Sequence, residues 1–391
     1  MQNQKLCKLK SFLCRHSVML TVWLIIAVCA WASKYFHGSY NNFLIFRASF
    51  FHAMDGLPLY GFYPAEYNDL YHYGPLFSIL IAPFAVMPLW LGLLSWLLAL
   101  TVTLFYAIRT LPVKQRGYVL LYWFCAHELL TALFYSQFNI AIATILILSY
   151  TLIQREKDVW AALLIVLGTF VKLYGVVGLA FFFFSRHRAK LLLSCIGWGV
   201  VLFALPMLFT SPGYIIEQYG VWIADILQKN SDNALAPYQN ISLLGIIRKV
   251  TQNTSFSDLW ILVPGAILFV LPYLRIKQYG YLPFRLTILA SALIFTVIFS
   301  SGSESCSYII AFTGVALWYC CVPWKRTGWD IALMVFAFIL TSMSPSDLFP
   351  KYIREAYVRP YALKALPCVI IWLKLTYELL TKNYKYGGER I

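Results

Sequence analysis

Apolar runs of roughly 16 to 22 residues recur along the chain, each about the length an α-helix needs to cross ~30 Å of hydrocarbon, and short polar or basic breaks separate them. The pattern predicts an all-α fold, a polytopic membrane helix bundle of about 10–12 transmembrane segments, with residues 1–391 forming a single transmembrane domain. It breaks early. Tyr35 to Gly74 leaves the membrane and gathers Arg47, His52, Asp55, Glu66, Asp69 and His72. Pro75 follows, and then Leu76 to Pro88, an apolar run too brief to span. Residues 35–89 are therefore expected to be an extracytoplasmic loop carrying two amphipathic, in-plane or re-entrant helices. A second large polar loop, Ser211 to Asp258 (211–258), is expected on the same side.

Charge sets the orientation. The net charge of +15 would suit a polyanionic partner, but the basic residues sit in short clusters between spans. The positive-inside rule accounts for such clusters, so no nucleic acid is expected among the partners. Lys5, Lys8, Lys10 and Arg15 precede the first span, which puts the N-terminus in the cytoplasm and the Tyr35 loop outside. Val18 to Ala32, with Ala30-Trp31-Ala32, resembles a signal peptide but reads better as a first anchor helix. Trp90 to Ile108 ends at Arg109, Lys114 and Arg116, so Leu76 to Pro88 must stay on the outer side. Tyr118 to Leu133 runs out and Phe138 to Ile153 returns, around the polar turn Tyr135 to Asn139.

Val159 to Phe184 is unusual. It holds Lys172 at its middle and lies between two basic clusters, Arg155/Lys157 and Arg186/Arg188/Lys190, so it must start and end inside. About 26 residues cannot cross twice as two ordinary helices. A short broken hairpin with Lys172 and Tyr174 near its outer tip meets both constraints. Further along, the turn Ser301 to Ser307 faces outside and the Lys382/Lys385 tail is cytoplasmic. The expected location is the cell (inner) membrane, as a multi-pass integral protein.

Composition adds exclusions. With 61% hydrophobic and 12% charged residues the chain is not a soluble domain. Its nine cysteines form no C-x-x-C pair and fall mostly in apolar spans, which argues against a disulfide framework or a zinc site.

The polar turns converge on the outer face, and each has a dull and a functional reading. Lys172 is either a cation snorkelling to the interface or an ammonium that meets a lipid phosphate. Arg47, among Phe43, Phe46 and Phe50 at helical spacing, is an interfacial anchor or a phosphate ligand. Glu66 and Asp69, three apart, are solvated loop charges or a pair sharing a proton or a divalent cation; no other cofactor is expected. His52 and His72 lack ligand-like spacing. Glu304 either caps the helix that follows or contacts substrate. Tyr60, Tyr63, Tyr67, Tyr71 and Tyr73 suit a membrane belt or a sugar-stacking surface.

Taken in order, several stretches resemble the polyprenyl-phosphate-mannose-dependent transferases of glycosyltransferase family 87, in the GT-C superfamily. They are Asn41 to Tyr60; Tyr73-Gly74-Pro75-Leu76-Phe77 with Pro83 and Pro88; Ser136-Gln137-Phe138-Asn139; Val171-Lys172-Leu173-Tyr174; Asn240-Ile241-Ser242-Leu243-Leu244-Gly245; and Ser303-Glu304-Ser305. The resemblance runs from about Tyr40 to about Phe312 and implies an inverting hexosyltransferase, a polyprenyl-phosphate sugar donor, and a lipid or glycan acceptor at the membrane lipid surface. It also implies a substrate pocket lined by Asn42, Gln137, Asn139, Tyr174 and Asn240. The family's early first-loop aspartate, its usual base, is replaced here by Asn41-Asn42-Phe43, and Glu304 stands where the family is often histidine-rich. Expulsion of a phosphate needs no strong general acid, only a carboxylate to take the acceptor's proton and cations for the leaving group. Asp69, Glu66 and Glu304 are the candidates for the first role; Lys172, Arg47 and Arg248 for the second. The competing classes are a transporter or lipid flippase, disfavoured by charges at span ends instead of the midplane, and a noncatalytic membrane scaffold.

Overall fold

The computed structural model describes residues 11–385, so Lys5, Lys8 and Lys10 of the first basic cluster lie outside the described residues. Among the described residues there are helices and turns and no strand. That is the solution expected in lipid, where a helix satisfies its backbone groups within one segment. Four helical stretches are long and apolar enough to cross a membrane: His16–Phe36, Leu89–Arg109, Gln115–Tyr135 and Arg188–Leu208; seven shorter apolar helices accompany them. Arg188–Leu208 buries only 17% of its apolar window, so most of that face is built to meet lipid.

Helix α1 (His16–Phe36) buries the stripe Met19, Trp23, Ala27 and Ala30 and turns Ile25 and Val28 outward. It runs the length of the bundle. Trp123 Nε1 donates to the Leu13 carbonyl near its start, and Trp31 Nε1 donates to the Trp90 carbonyl near its end. The first loop supplies α2 (Asn41–Met54) and two short pieces, α3 (Pro75–Leu80) and α4 (Ala82–Ala85). A proline in the first turn of each supplies the φ a helix needs where no N–H partner is lost. At 1.5 Å per residue they rise roughly 9 and 6 Å, far short of a bilayer. Gly74 N donates to the Val171 carbonyl at one end of the pair and Arg47 Nε to the Ala85 carbonyl at the other. Neither piece traverses the bundle.

Helices α5 (Leu89–Arg109), α6 (Gln115–Tyr135) and α7 (Asn139–Gln154) then go back and forth. Trp96 Nε1 donates to the Ser136 carbonyl at one end, and Thr110 Oγ1 donates to Thr151 Oγ1 at the other. Next comes the hairpin: α8 (Asp158–Val171), a break at Lys172, and a 3-10 helix, Leu173–Phe184. Its two arms lie back to back. A Cβ on Gly175 would fall 2.3 Å from the Gly168 carbonyl carbon, and one on Gly178 would fall 2.7 Å from Ile165. At the open end Ser185 Oγ donates to Asp158 Oδ1 at 2.6 Å. Lys172 is therefore at the apex, with both chain ends of the hairpin on the opposite side. Gly175→Val has nowhere to put its side chain except into the Gly168 backbone; overpacking of this kind costs about 1–3 kcal/mol or more. The expected result is a protein of lower thermal stability with Lys172 displaced, read as lost protection of a cysteine at position 172 from a membrane-impermeant thiol reagent.

Helix α9 (Arg188–Ala204) leads to the second loop, which folds as α10 (Pro212–Asp232) and α11 (Leu243–Thr251). Polarity alone marked 211–258 as a loop. Its first half is helical because Ser211 Oγ accepts from Tyr214 N, Pro212 opens the first turn, and Ile215, Tyr219 and Trp222 form a buried stripe against Phe170 and Phe203. Helices α12 (Leu259–Val270), α13 (Leu282–Ile298), α14 (Tyr308–Cys320), α15 (Gly328–Phe336) and α16 (Leu366–Thr381) complete the chain. Helices α13 and α14 are the innermost pair: Gly314 lets the two backbones close until a Cβ there would lie 2.8 Å from the Ala290 carbonyl.

Polar groups segregate to the two ends of this bundle. Near the open end of the hairpin Arg186 pairs with Glu156 at 2.7 Å, and Tyr273 OH donates to the Ala180 carbonyl. There too Arg275 Nη1 donates to the Leu379 and Lys382 carbonyls. At the apex end lie the first loop, the Ser136 turn and the Ser303 turn.

Candidate active site

The apex of the hairpin is the centre of the site. Lys172 Nζ donates to Asn139 Oδ1 at 2.8 Å and lies 5.0 Å from the ring centre of Tyr174 and 5.6 Å from that of Tyr73. Asn139 Nδ2 donates to Gln137 Oε1 at 3.2 Å, and Gln137 Nε2 donates to Glu304 Oε2 at 2.9 Å. A cation and a carboxylate are thus joined through two amides and not by direct contact. The amides fix both charges while leaving the ammonium two further N–H donors, which is what a site for an arriving anion needs.

Local sequence places each member. Ser136 takes a left-handed conformation (φ 54°) that ends α6, and the chain reverses so that Asn139 opens α7, fully buried. Tyr73 OH accepts from Phe138 N at 3.3 Å and ties the first loop to this turn. Gly74 has to be glycine, since a Cβ would sit 1.8 Å from the Phe170 carbonyl oxygen just before the apex. Tyr174 OH shares a 2.7 Å hydrogen bond with Ser300 Oγ, linking the hairpin to the last turn. Glu304 caps that turn in a capping box with Ser307, as one of its two readings expected, and its carboxylate also accepts from Gln137. Cys306, fully buried, packs its sulfur against Asn139 Nδ2 at 3.2 Å.

Other candidates serve the frame. Asn42 Nδ2 donates to the Tyr135 carbonyl at 2.8 Å, where α6 ends. Asn240, fully buried at φ 50°, accepts from Ser242 Oγ at 2.7 Å, and the adjacent Ile241 binds the Ser303 turn through N–H and carbonyl at 2.9 and 2.6 Å. Its amide therefore shapes the wall behind the Glu304 turn. Two candidate phosphate ligands lie elsewhere. Arg47 donates to the Ala85 carbonyl and stacks near Phe51, tying α2 to the end of α4. Arg248 is buried in an ion pair with Asp258, ten residues on, and against Phe256. Arg248 is thus paired with a nearby carboxylate and Arg47 is held by a backbone carbonyl, and among the described residues neither has a contact with the Lys172 cluster.

The two first-loop acids part company as well. Glu66 pairs with His52 Nε2 at 3.0 Å. Asp69 is exposed, left-handed (φ 84°), and accepts from its own neighbour Leu70 N at 2.8 Å. Asn41, however, grips the residue before it: Asn68 N donates to Asn41 Oδ1 at 2.8 Å and Asn41 Nδ2 donates back to the Asn68 carbonyl.

The chain pattern gave no hint of one pair. His72 Nδ1 meets Asp225 Oδ2 of α10 at 2.8 Å, and Trp222 Nε1 donates to the His72 carbonyl at 3.1 Å. These partners are some 150 residues apart, and only the amphipathic stripe of α10 could have signalled that this helix packs on the first loop.

Residues 71–301, more than half of the chain's 391, match the family model of glycosyltransferase family 87. The chain belongs to glycosyltransferase family 87. Family membership makes it a membrane glycosyltransferase. No curated protein matches the chain. The family match covers the Ser136 turn, the hairpin with Lys172, and α10 and α11, but stops short of Glu304 and begins after Glu66 and Asp69.

Proposed function

We propose that the protein transfers a hexose, mannose in the first place, from a polyprenyl-phosphate sugar to a lipid- or glycan-linked acceptor at the extracytoplasmic face of the inner membrane, with its N-terminus in the cytoplasm. The observation that carries this reading is the Lys172–Asn139–Gln137–Glu304 chain, set at the loop end of a helix bundle of family 87. A cation there meets the phosphate of a donor whose prenyl tail stays in lipid.

The acceptor hydroxyl loses its proton to a carboxylate, Asp69 by preference, as its oxygen attacks the anomeric carbon. The anomeric C–O bond to phosphate breaks, the sugar inverts, and prenyl phosphate leaves with the electron pair. Lys172 neutralises the charge that builds on it. The aromatic wall of Tyr73 and Tyr174 suits a sugar ring held beside the ammonium.

The direct test is transfer from a radiolabelled polyprenyl-phosphate hexose by the purified protein in detergent, with mannose and glucose donors compared. Label moving to an extractable acceptor supports the reading. A nucleotide-sugar donor that works while every prenyl-phosphate donor is inert would overturn it.

A further inference from the structure

A second cationic cavity adjoins the Glu304 turn from the C-terminal part of the chain. It has a volume of about 80 Å³ and is lined by Tyr135 and Tyr238 from the part of the chain that matches the family and by Ser305, Arg354, Arg359 and Lys364 from beyond it. At roughly 10–15 Å³ per water it holds several waters or one tetrahedral oxyanion. Among the described residues no acidic side chain lines it. Lys364 and Arg354 are only 3% and 7% exposed, so their charges act in a poorly solvated setting.

The carboxylates that compensate these cations sit outside the lining. Lys364 Nζ reaches back to Glu128 at 3.0 Å and forward to Ser305 Oγ at 3.0 Å. Arg354 pairs with Asp347 and Glu355, both at 3.2 Å. Arg359 gives only Nη1 to Glu355, at 2.5 and 2.6 Å, and lays its guanidinium over Tyr238, 5.2 Å from the ring centre. Its Nε–H and Nη2 protons remain for a ligand, in the planar fork that suits phosphate. The Ser303–Ser307 turn thus has a cation on each flank: Lys172 through Asn139 and Gln137, and Lys364 through Ser305.

We propose that this cavity is a second anion subsite, which binds the phosphate of a lipid-linked substrate through Arg359 and Arg354, with Lys364, whose three N–H groups go to Glu128 and Ser305, forming the wall behind them. This rests on the transferase reading and extends it: a site with two cationic positions flanking one carboxylate turn takes two anionic substrates, so the acceptor, like the donor, carries a phosphate. Residues 344–364, which supply most of the cavity, lie beyond the part of the chain that matches the family.

Calorimetric titration of the full chain in a neutral detergent tests this without any turnover, using farnesyl phosphate, farnesol and inorganic phosphate as probes. Wild type should bind two equivalents of farnesyl phosphate and no farnesol. Lys172→Ala should lose one equivalent, and Arg359→Gln should weaken the other roughly tenfold or more. Glu355→Gln frees Arg359 Nη1 and should tighten that second equivalent, a gain that misfolding cannot imitate. One equivalent in wild type, an Arg359→Gln protein that binds as wild type does, or a Glu355→Gln protein that binds more weakly would overturn the proposal. Inorganic phosphate filling the site as tightly as farnesyl phosphate would overturn the lipid-linked source. Failure of sugar transfer with two intact binding equivalents would count against the transferase reading and not against the subsite.

Discussion

Lys172→Ala is expected to lower the rate of sugar transfer by roughly 10²–10³-fold, the usual effect of removing one preorganised charge from a developing anion, while the bundle stays folded. Folding is spared because, among the described residues, the Lys172 ammonium has no carboxylate partner within salt-bridge distance. It donates to the neutral Asn139 amide and rests between Tyr73 and Tyr174. Truncation leaves an amide acceptor that water at the apex can satisfy. Lys364 is the instructive contrast: its loss would strand the fully buried Glu128 carboxylate, so a Lys364 variant cannot separate folding from function. Lys172→Arg should recover part of the rate, since the charge remains but the planar guanidinium does not fit the Asn139 contact. Single-turnover transfer, donor binding and thermal unfolding, measured on all three proteins, distinguish the cases. An alanine variant that binds donor and turns over as wild type does would remove Lys172 from the mechanism.

The hairpin was legible because two independent constraints bore on it. Basic clusters at Arg155/Lys157 and Arg186/Arg188/Lys190 required both ends on one side, and the run between them was too short for two helices. The structure meets both with Gly168 and Gly175 in backbone contact and Lys172 at the turn. Helix limits were also close: Tyr118 to Leu133 and Phe138 to Ile153 were expected where Gln115–Tyr135 and Asn139–Gln154 are found. Apolar length is a one-dimensional signal, and lipid enforces it strongly.

Pairing across the chain is not one-dimensional. Nothing near Gln137 announces Glu304, 167 residues later, and nothing near His72 announces Asp225. The arginines carry a related lesson. Sequence alone did not show that Arg248 pairs with Asp258 or that Arg47 Nε donates to the Ala85 carbonyl. Local partners matter more than position in such a loop, because an unpaired buried charge is costly and a nearby acceptor is usually found. The cations Arg354, Arg359 and Lys364 carry no one-dimensional signal either, since they become a cavity wall only when Ser305 and Tyr135 close the other side.

Asp69→Asn is the second large effect expected, a loss of about 10²–10⁴-fold in transfer with donor binding unchanged, which is the contribution typical of a general base. The substitution is well matched to its site. Asp69 holds a left-handed backbone at φ 84°, a conformation that asparagine tolerates as aspartate does, so charge is removed without added strain. Its placement argues for the role. The resemblance puts Asn41-Asn42-Phe43 where the family's aspartate is expected, and within that stretch both ends of the Asn41 amide are engaged by the backbone of Asn68. An asparagine can make that two-way clamp and an aspartate cannot, because a carboxylate has no N–H to give the Asn68 carbonyl. The clamp ties the start of α2 to the residue just before Asp69, so Asp69 is held close in the chain to the Asn41 contact. Asn41→Asp alone should therefore impair transfer, by breaking one hydrogen bond and setting two carboxylates near each other. Asn41→Asp combined with Asp69→Asn should regain part of what Asp69→Asn lost, with a carboxylate back in that stretch. Glu66→Gln and Glu304→Gln serve as comparisons; the first should weaken the contact to His52 and the second should disturb Gln137, each with smaller losses than Asp69→Asn. Near-normal turnover in Asp69→Asn, or a double variant no better than the single one, would take the base away from this clamp and leave Glu304 as the carboxylate to pursue.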